Sequence, residues 1–233
     1  MRTAALIAAL AAALPASAAV PPRVAQMVVF RSGAVRAGHP SVVQAMVQVG
    51  RRRCAVAGGT PLAALVHSGV GPLSLRDYGS CSKRPADGAG LFVAAIAGDR
   101  NRGSDGWVYK VGNVLGTAGA ADPSGPFGSG RLRAGARVTW FWCHVTARDR
   151  GCAQTLTLAP QPAPAGTLAA RVRRFDDHGQ GRAAAGATLH VAGRTATAGR
   201  DGIARMRLRR GRYNAWAGQA GRIRSFAVEV VIR

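Results

Sequence analysis

A chain of 233 residues can hold one large domain or two small ones, and a hydrophobic share of 48% is enough to build a core, though alanine and glycine supply much of it. The 32 basic and 10 acidic residues leave a formal net charge of +22, which excludes a neutral surface and favours polyanionic partners: nucleic acid, acidic glycan, wall polymer or anionic lipid. Only Lys83 and Lys110 are lysine; arginine is scattered through every segment, as a compositional bias would also leave it.

The chain starts like a secretory signal. Arg2 is a basic start, residues 4–14 form an apolar run too short to cross a bilayer, and Ala16-Ser17-Ala18 fits a small-x-small cleavage site. A mature chain beginning near Ala19 or Val20, secreted or held at the cell envelope, is therefore expected, and no later run is apolar enough for a membrane helix. In an exported chain, four cysteines favour two disulfides. Three connectivities are possible. Cys54 with Cys81 and Cys143 with Cys152 are favoured because each pair brackets a local unit. A zinc site from Cys143, His144 and Cys152 is disfavoured, because neighbours on a strand point to opposite faces.

Residues 20–39 open with prolines and carry one short apolar run, 27–30, read as an edge strand or loose arm. Residues 41–49 alternate and read as a strand, with 52–56 as its hairpin partner. Thr60 then fits a helix N-cap and Pro61 the first helical position, with Leu62, Leu65 and Val66 as a one-sided apolar stripe. Residues 73–78 read as a strand, 82–90 as a polar loop, and 91–97 as a buried strand. In the turn 98–106, Asp99, Asn101 and Asp105 could suggest a calcium loop, but arginines interrupt them and Lys110 stands where a glutamate is needed.

Residues 106–145 dominate the first half. Trp107, Val108, Tyr109 and Val111 form a run of β-formers that ends at Gly112-Asn113. Residues 138–145 form a second strand, with Val138, Trp140 and Trp142 on one face and Thr139, Phe141 and Cys143 on the other. Three of the four tryptophans lie in these two runs, so the first core is expected there. Between them, 116–130 is an irregular, turn-rich segment. Residues 152–158 are expected to pair back on 138–145, with Cys143–Cys152 stapling that hairpin.

The proline-rich run 159–166 reads as a linker between domains at 27–158 and 167–233. After it, short strands at 168–175, 187–191, 204–208, 213–217 and 226–232, punctuated by glycines and Asp201-Gly202, read as a small β-sandwich. Asp176-Asp177-His178-Gly179 reads as a polar turn. The expected fold is mainly β: a small α+β, grasp-like N-terminal domain and a C-terminal sandwich.

Thr60-Pro61-Leu62-Ala63-Ala64-Leu65, Gly106-Trp107-Val108-Tyr109 with Val111, Gly116, Ala121-Asp122, Gly135 and Val138-Thr139-Trp140 carry a resemblance. The first domain resembles a family of unknown function related to the C-terminal domain of transcobalamin and intrinsic factor. That implies a grasp-like domain, which in cobalamin carriers covers one face of the corrinoid. Those carriers clamp the corrinoid against a helical barrel, and the family's Gly-Asp before the Val-x-Trp strand is Gly135-Ala136 here. Residues 185–189, 197–204 and Gly211-Arg212-Tyr213 make the second domain similar to carboxypeptidase regulatory-like, transthyretin-like modules, which implies a spacer or adhesion role.

No catalytic set stands out. The five histidines are dispersed, Gly-x-Ser-x-Gly is absent and the cysteines are assigned to disulfides. Residues 205–212 alternate Arg with Met206 and Leu208, a half-exposed strand rather than a nucleic-acid groove. The reading is a secreted, non-enzymatic binding or surface-interaction protein with no cofactor and no metal. Its partner is an extracellular ligand or an anionic envelope polymer. Two alternatives stand beside it: an adhesion or spacer protein held by its arginine surface, and a small-ligand, cobalamin-type binding module. Trp107, Tyr109, Asn113, Trp140 and Trp142 are the candidate ligand surface, with most of the aromatics expected in the core.

Overall fold

A computed structural model describes residues 21–145 and 151–233; the signal sequence expected at residues 1–19 lies outside them. The first unit runs through β1 (Ala25–Val29), β2 (Val35–Gly38), β3 (Ala45–Val49), β4 (Arg52–Val56) and α1 (Pro61–His67). It continues through β5 (Leu73–Asp77), a 3-10 turn (Pro85–Gly90), β6 (Leu91–Ile96), β7 (Asp99–Arg100), β8 (Gly106–Val111), β9 (Val114–Leu115) and β10 (Arg137–Cys143). The second unit adds β11 (Thr155–Gln161), β12 (Thr167–Phe175), β13 (Gly181–Ala183) and β14 (Thr188–Val191). It ends with β15 (Arg194–Thr197), β16 (Ile203–Arg207), β17 (Gly211–Gly218) and β18 (Val228–Ile232). The chain is mainly β, in several sheets.

The organising sheet has the order β2-β1-β10-β8-β9. Its central pair, β1 and β10, is parallel, with Val28 beside Trp140. A parallel pair needs a long crossover, and the chain between them includes α1, which covers one face. This gives the grasp-like arrangement expected of the first domain. Thr60 caps α1 as expected, accepting from the Ala63 N–H at 3.2 Å. Leu62 and Leu65 pack with Val24, Val28, Tyr109 and Trp140. Tyr109 and Trp140 meet at 5.3 Å between ring centroids, and Trp107 meets Trp142 edge-on at 5.9 Å.

Two expectations need correcting. Residues 27–30 do not belong to an edge strand or arm, because β1 is interior. Val24 and Val28 face α1, while Met27 and Val29 enter a second cluster on the back of the sheet. A strand covered on both faces reads as a short unbroken apolar run, which the alternation argument cannot place. Residues 152–158 do not pair back on 138–145. β11 runs antiparallel to β12, from Thr155 beside Phe175 to Gln161 beside Ala169. Leu156 and Leu158 enter the core of the second unit. The proline-rich run is therefore part of a hairpin within that unit, not a spacer. Pro160 is tolerated because β11 is at a sheet edge, where a missing N–H breaks no ladder.

The sandwich packs β11-β12-β13, with β16 on β12, against β15-β14-β17-β18. Its core is Leu, Val, Ile, Met and Ala, including Val172, Leu189, Ala204, Ala217 and Ile232. On β16, Ala204 and Met206 are buried and Arg205 and Arg207 exposed, as the alternation requires. The turn Asp201-Gly202 needs its glycine: Gly202 has φ of +75°, and a Cβ there would lie 2.5 Å from the Val172 carbonyl oxygen.

Both favoured disulfides form, Cys54–Cys81 and Cys143–Cys152. The second spans residues 146–150, which lie outside the described part, and ties the end of β10 to the start of the second unit. No described helix is long and apolar enough to cross a membrane.

Candidate functional site

The back face of the five-stranded sheet positions the site. On β8, Trp107 and Tyr109 point into the first core, which sends Val108 and Lys110 to the other side. There Met27, Val29, Phe141 and Cys143 are closed over by Ile223 of the second unit, with Cys152, Ala153 and Phe226 around them. The two units thus share a third, smaller core.

Lys110 locks this seam. Its side chain is fully buried, an expensive place for a cation unless it is paired and bonded. Nζ donates to the Asp176 carbonyl at 2.8 Å and, more weakly, to that of Phe175 at 3.4 Å. It forms an ion pair with Asp177 Oδ1 at 3.1 Å. Burial pushes the ammonium below its ordinary value; the Asp177 carboxylate, through bond and charge, and the charge of Asp176 act in the opposite direction. Asp177 also accepts from the Cys152 N–H at 3.0 Å, and its carbonyl accepts from the Leu115 N–H at 2.9 Å. The segment expected to be an isolated polar turn is therefore the latch between the units. Lys110 sits where the calcium-loop reading looked for a glutamate, and its work is across the seam.

Beside the latch lies an open cleft of about 1100 Å³. The first unit contributes Arg31, Arg102, Asp105, Trp142 and His144; the second contributes Gln154, Arg174, Asp176, Asp177, His178 and Arg222. Its carboxylates are occupied. Asp105 accepts from the Val145 N–H at 2.9 Å and contacts His144, which hold its carboxyl below the usual range. Asp176 accepts from the backbone N–H groups of His178 and Gln180, and Asp177 pairs with Lys110.

The cleft arginines differ. Among the described residues, none of Arg31, Arg102, Arg174 and Arg222 forms an ion pair with a carboxylate. Arg174 Nε is buried without an acceptor there, and Arg222 donates to Gln154 Oε1. Burial, then the charge of Arg174, holds Arg222 below its ordinary value. Like charges that interact in this way repel, and an anion bound beside them would relieve that repulsion. Arg31 stands 6.0 Å over the ring of half-buried Trp142.

Of the candidate ligand residues, Trp107, Tyr109 and Trp140 are core, at 5%, 6% and 1% exposure. Trp142 alone reaches the cleft. Asn113 lies at another part of the seam, near Arg137, Thr155 and Arg224. The segment 116–130 wraps the Tyr109 hydroxyl, which donates to the Ala118 carbonyl at 2.6 Å. Burial, then the charge of Asp122, pushes that phenol up to about 12. Gly116 lies against the ring, where a Cβ would come within 2.1 Å. Arg174, Arg222 and Lys110 were missed as site residues. Lys110 had one signal: with Trp107 and Tyr109 inward, alternation puts a rare lysine on the opposite face. Arg174 and Arg222 carried none among so many arginines.

Asp99, Asn101 and Asp105 do not converge. Asn101 Oδ1 accepts from the Trp107 N–H at 2.9 Å, and Asp99 accepts from the Arg31 N–H at 3.0 Å. Among the described residues no three His, Cys, Asp or Glu side chains cluster as metal ligands. No protein-family model, curated protein or solved structure matches this chain.

Proposed function

We propose that this chain is an exported, non-enzymatic binding protein that holds an acidic glycan of the cell envelope in the cleft between its two units. One observation carries the reading: Arg174 and Arg222 both line that cleft, near enough for their charges to interact, and among the described residues neither forms an ion pair with a carboxylate. Guanidinium forks match carboxylates geometrically, and half-buried Trp142 with Arg31 over its ring lines the same cleft. The net charge of +22 adds long-range attraction for a polyanion. Export rests on the two disulfides and the sequence signal.

The test is a tryptophan-fluorescence titration with hexagalacturonate at low and at physiological salt. Arg174→Gln/Arg222→Gln is expected to weaken binding roughly tenfold or more, the size of lost charge-assisted bonds. A control, Arg205→Gln/Arg207→Gln on the exposed side of β16, removes the same charge and is expected to change affinity only slightly. Equal losses from both pairs, abolished by salt, would replace the cleft with adhesion through the whole arginine surface.

A further inference from the structure

The antiparallel pair β5 and β6 carries two aromatic rings that the core does not take up. Leu91 and Val93 of β6 are buried in the main core, which sends Phe92 to the solvent side, where it is 42% exposed. Tyr78 follows the last residue of β5 and is 71% exposed. The two rings meet edge to face, 5.8 Å between centroids and 65° between planes. Arg76 of β5 stands directly across from Phe92, and alternation puts it on the same face as Tyr78. The Tyr78 N–H donates to the Gly90 carbonyl at 2.9 Å, and a glycine there sets no side chain beside the phenol.

Two exposed rings in contact make an apolar patch, unlike the single exposed side chains common on protein surfaces. The patch is also positive. Arg76 is exposed and forms no ion pair among the described residues, and Lys83 is exposed on the loop that joins the two strands. The carboxylates of this region are withdrawn. The Asp77 side chain is 1% exposed and paired with Arg52, and Asp87 accepts from Ser82 Oγ and pairs with Arg84.

An acidic sugar chain, a second copy of this chain and an anionic bilayer are the occupants to weigh, and the geometry separates them. Sugar rings stack on flat aromatic faces, and rings 65° apart offer no common plane. A two-fold dimer would set this positive patch against itself, because such an interface uses the same surface on both sides. A bilayer interface accepts rings at any tilt, keeps a phenol tip wet and meets a guanidinium with phosphate. We infer that Tyr78, Phe92 and Arg76 form an anchor by which the chain docks on an anionic lipid surface, with the rings among the headgroups and the arginine on their phosphates.

The test is co-sedimentation of the oxidised chain, at physiological salt, with vesicles of phosphatidylcholine alone or mixed with phosphatidylglycerol. Binding to the mixed vesicles is expected. Tyr78→Ser/Phe92→Ser keeps the charge and is expected to weaken that binding roughly tenfold. Arg76→Gln is expected to weaken it roughly fivefold, the size of one basic side chain at such a surface. Val231→Ser, at an apolar position 56% exposed on β18, is the control and is expected to leave it unchanged. In the natural chain, a nitroxide-labelled lipid is expected to broaden the NMR signals of Tyr78 and Phe92 before those of Val231, a readout that needs no variant. No binding to the mixed vesicles, undiminished binding of the ring variant or equal broadening at all three residues would each overturn the anchor. A concentration-dependent dimer lost in Tyr78→Ser/Phe92→Ser would overturn it too, and assign the patch to a second copy.

Discussion

The first unit buries Trp107, Tyr109 and Trp140 in its main core and cross-links itself through Cys54–Cys81, whereas the buried residues of the second unit's main cluster, among the described residues, are aliphatic. Bulky rings announce where a core is, and a disulfide limits the unfolded chain, by about 3 to 4 kcal/mol for a loop of this length in the entropy model. The second unit relies on close sheets and small side chains, with Ala170, Ala204, Ala215 and Ala217 fully buried. The difference teaches that either material can fill a β core here, but neither unit alone covers the back of the five-stranded sheet. That cover is shared, and the arginine cleft lies along the join.

The contrast breaks most severely at the join. Lys110→Met removes the buried cation, leaving Asp177 without its counter-charge and the Phe175 and Asp176 carbonyls without that donor. A loss of about 3 kcal/mol in urea unfolding is expected. Lys83, exposed on a loop, is the control, and Lys83→Met should leave the midpoint unchanged. A smaller effect sharpens the first unit. Asp77 accepts from the Cys81 and Gly79 N–H groups and pairs with Arg52, all at 3.0 Å. The Cys81 N–H foremost, with Gly79 and Arg52, holds its carboxyl below the ordinary value against the opposing effect of burial. A lowered carboxyl stabilises the fold above its unfolded-state value of about 4, and that contribution is lost as pH falls through the folded-state value. Asp77→Asn should therefore destabilise by about 1 to 2 kcal/mol at pH 7, with the gap from the natural chain closing in acid.

The smallest effect falls on two hairpin turns, one in each unit. Ala97 and Ala192 have φ of +49° and +48° in the two-residue turns β6–β7 and β14–β15, each followed by glycine. Type I′ turns of this kind favour Asn-Gly, because alanine is strained with positive φ. Ala97→Asn and Ala192→Asn should each raise stability, by about 1 kcal/mol at most, and thermal unfolding would show a lowered midpoint if the turns were of another kind.

Much of this was legible because it is local. The Thr60 cap, the alternation of Val138, Trp140 and Trp142, the Asp201-Gly202 turn and both cysteine pairs are short-range signals that tertiary structure did not override. What was hidden is long-range. Lys110 and Asp177 meet only after both units have formed. β1 lies inside its sheet because β2 and β10, distant in sequence from one another, pair with its two edges, and its outer face is apolar because the second unit covers it. β11 looked like the return strand of a hairpin because its alternation fits either sheet, and alternation names a face but not a partner. The candidate aromatics were legible as core, but the arginines that line the cleft could not be told from the rest by spacing.

The most direct test of the shared core is calorimetry of the oxidised chain. One transition, with calorimetric and van 't Hoff enthalpies in agreement, is expected for the natural sequence, and a split or broadened transition for Lys110→Met. Two separate transitions in the natural chain would contradict the account, since the units would then fold independently and the cleft between them would not be built by the fold.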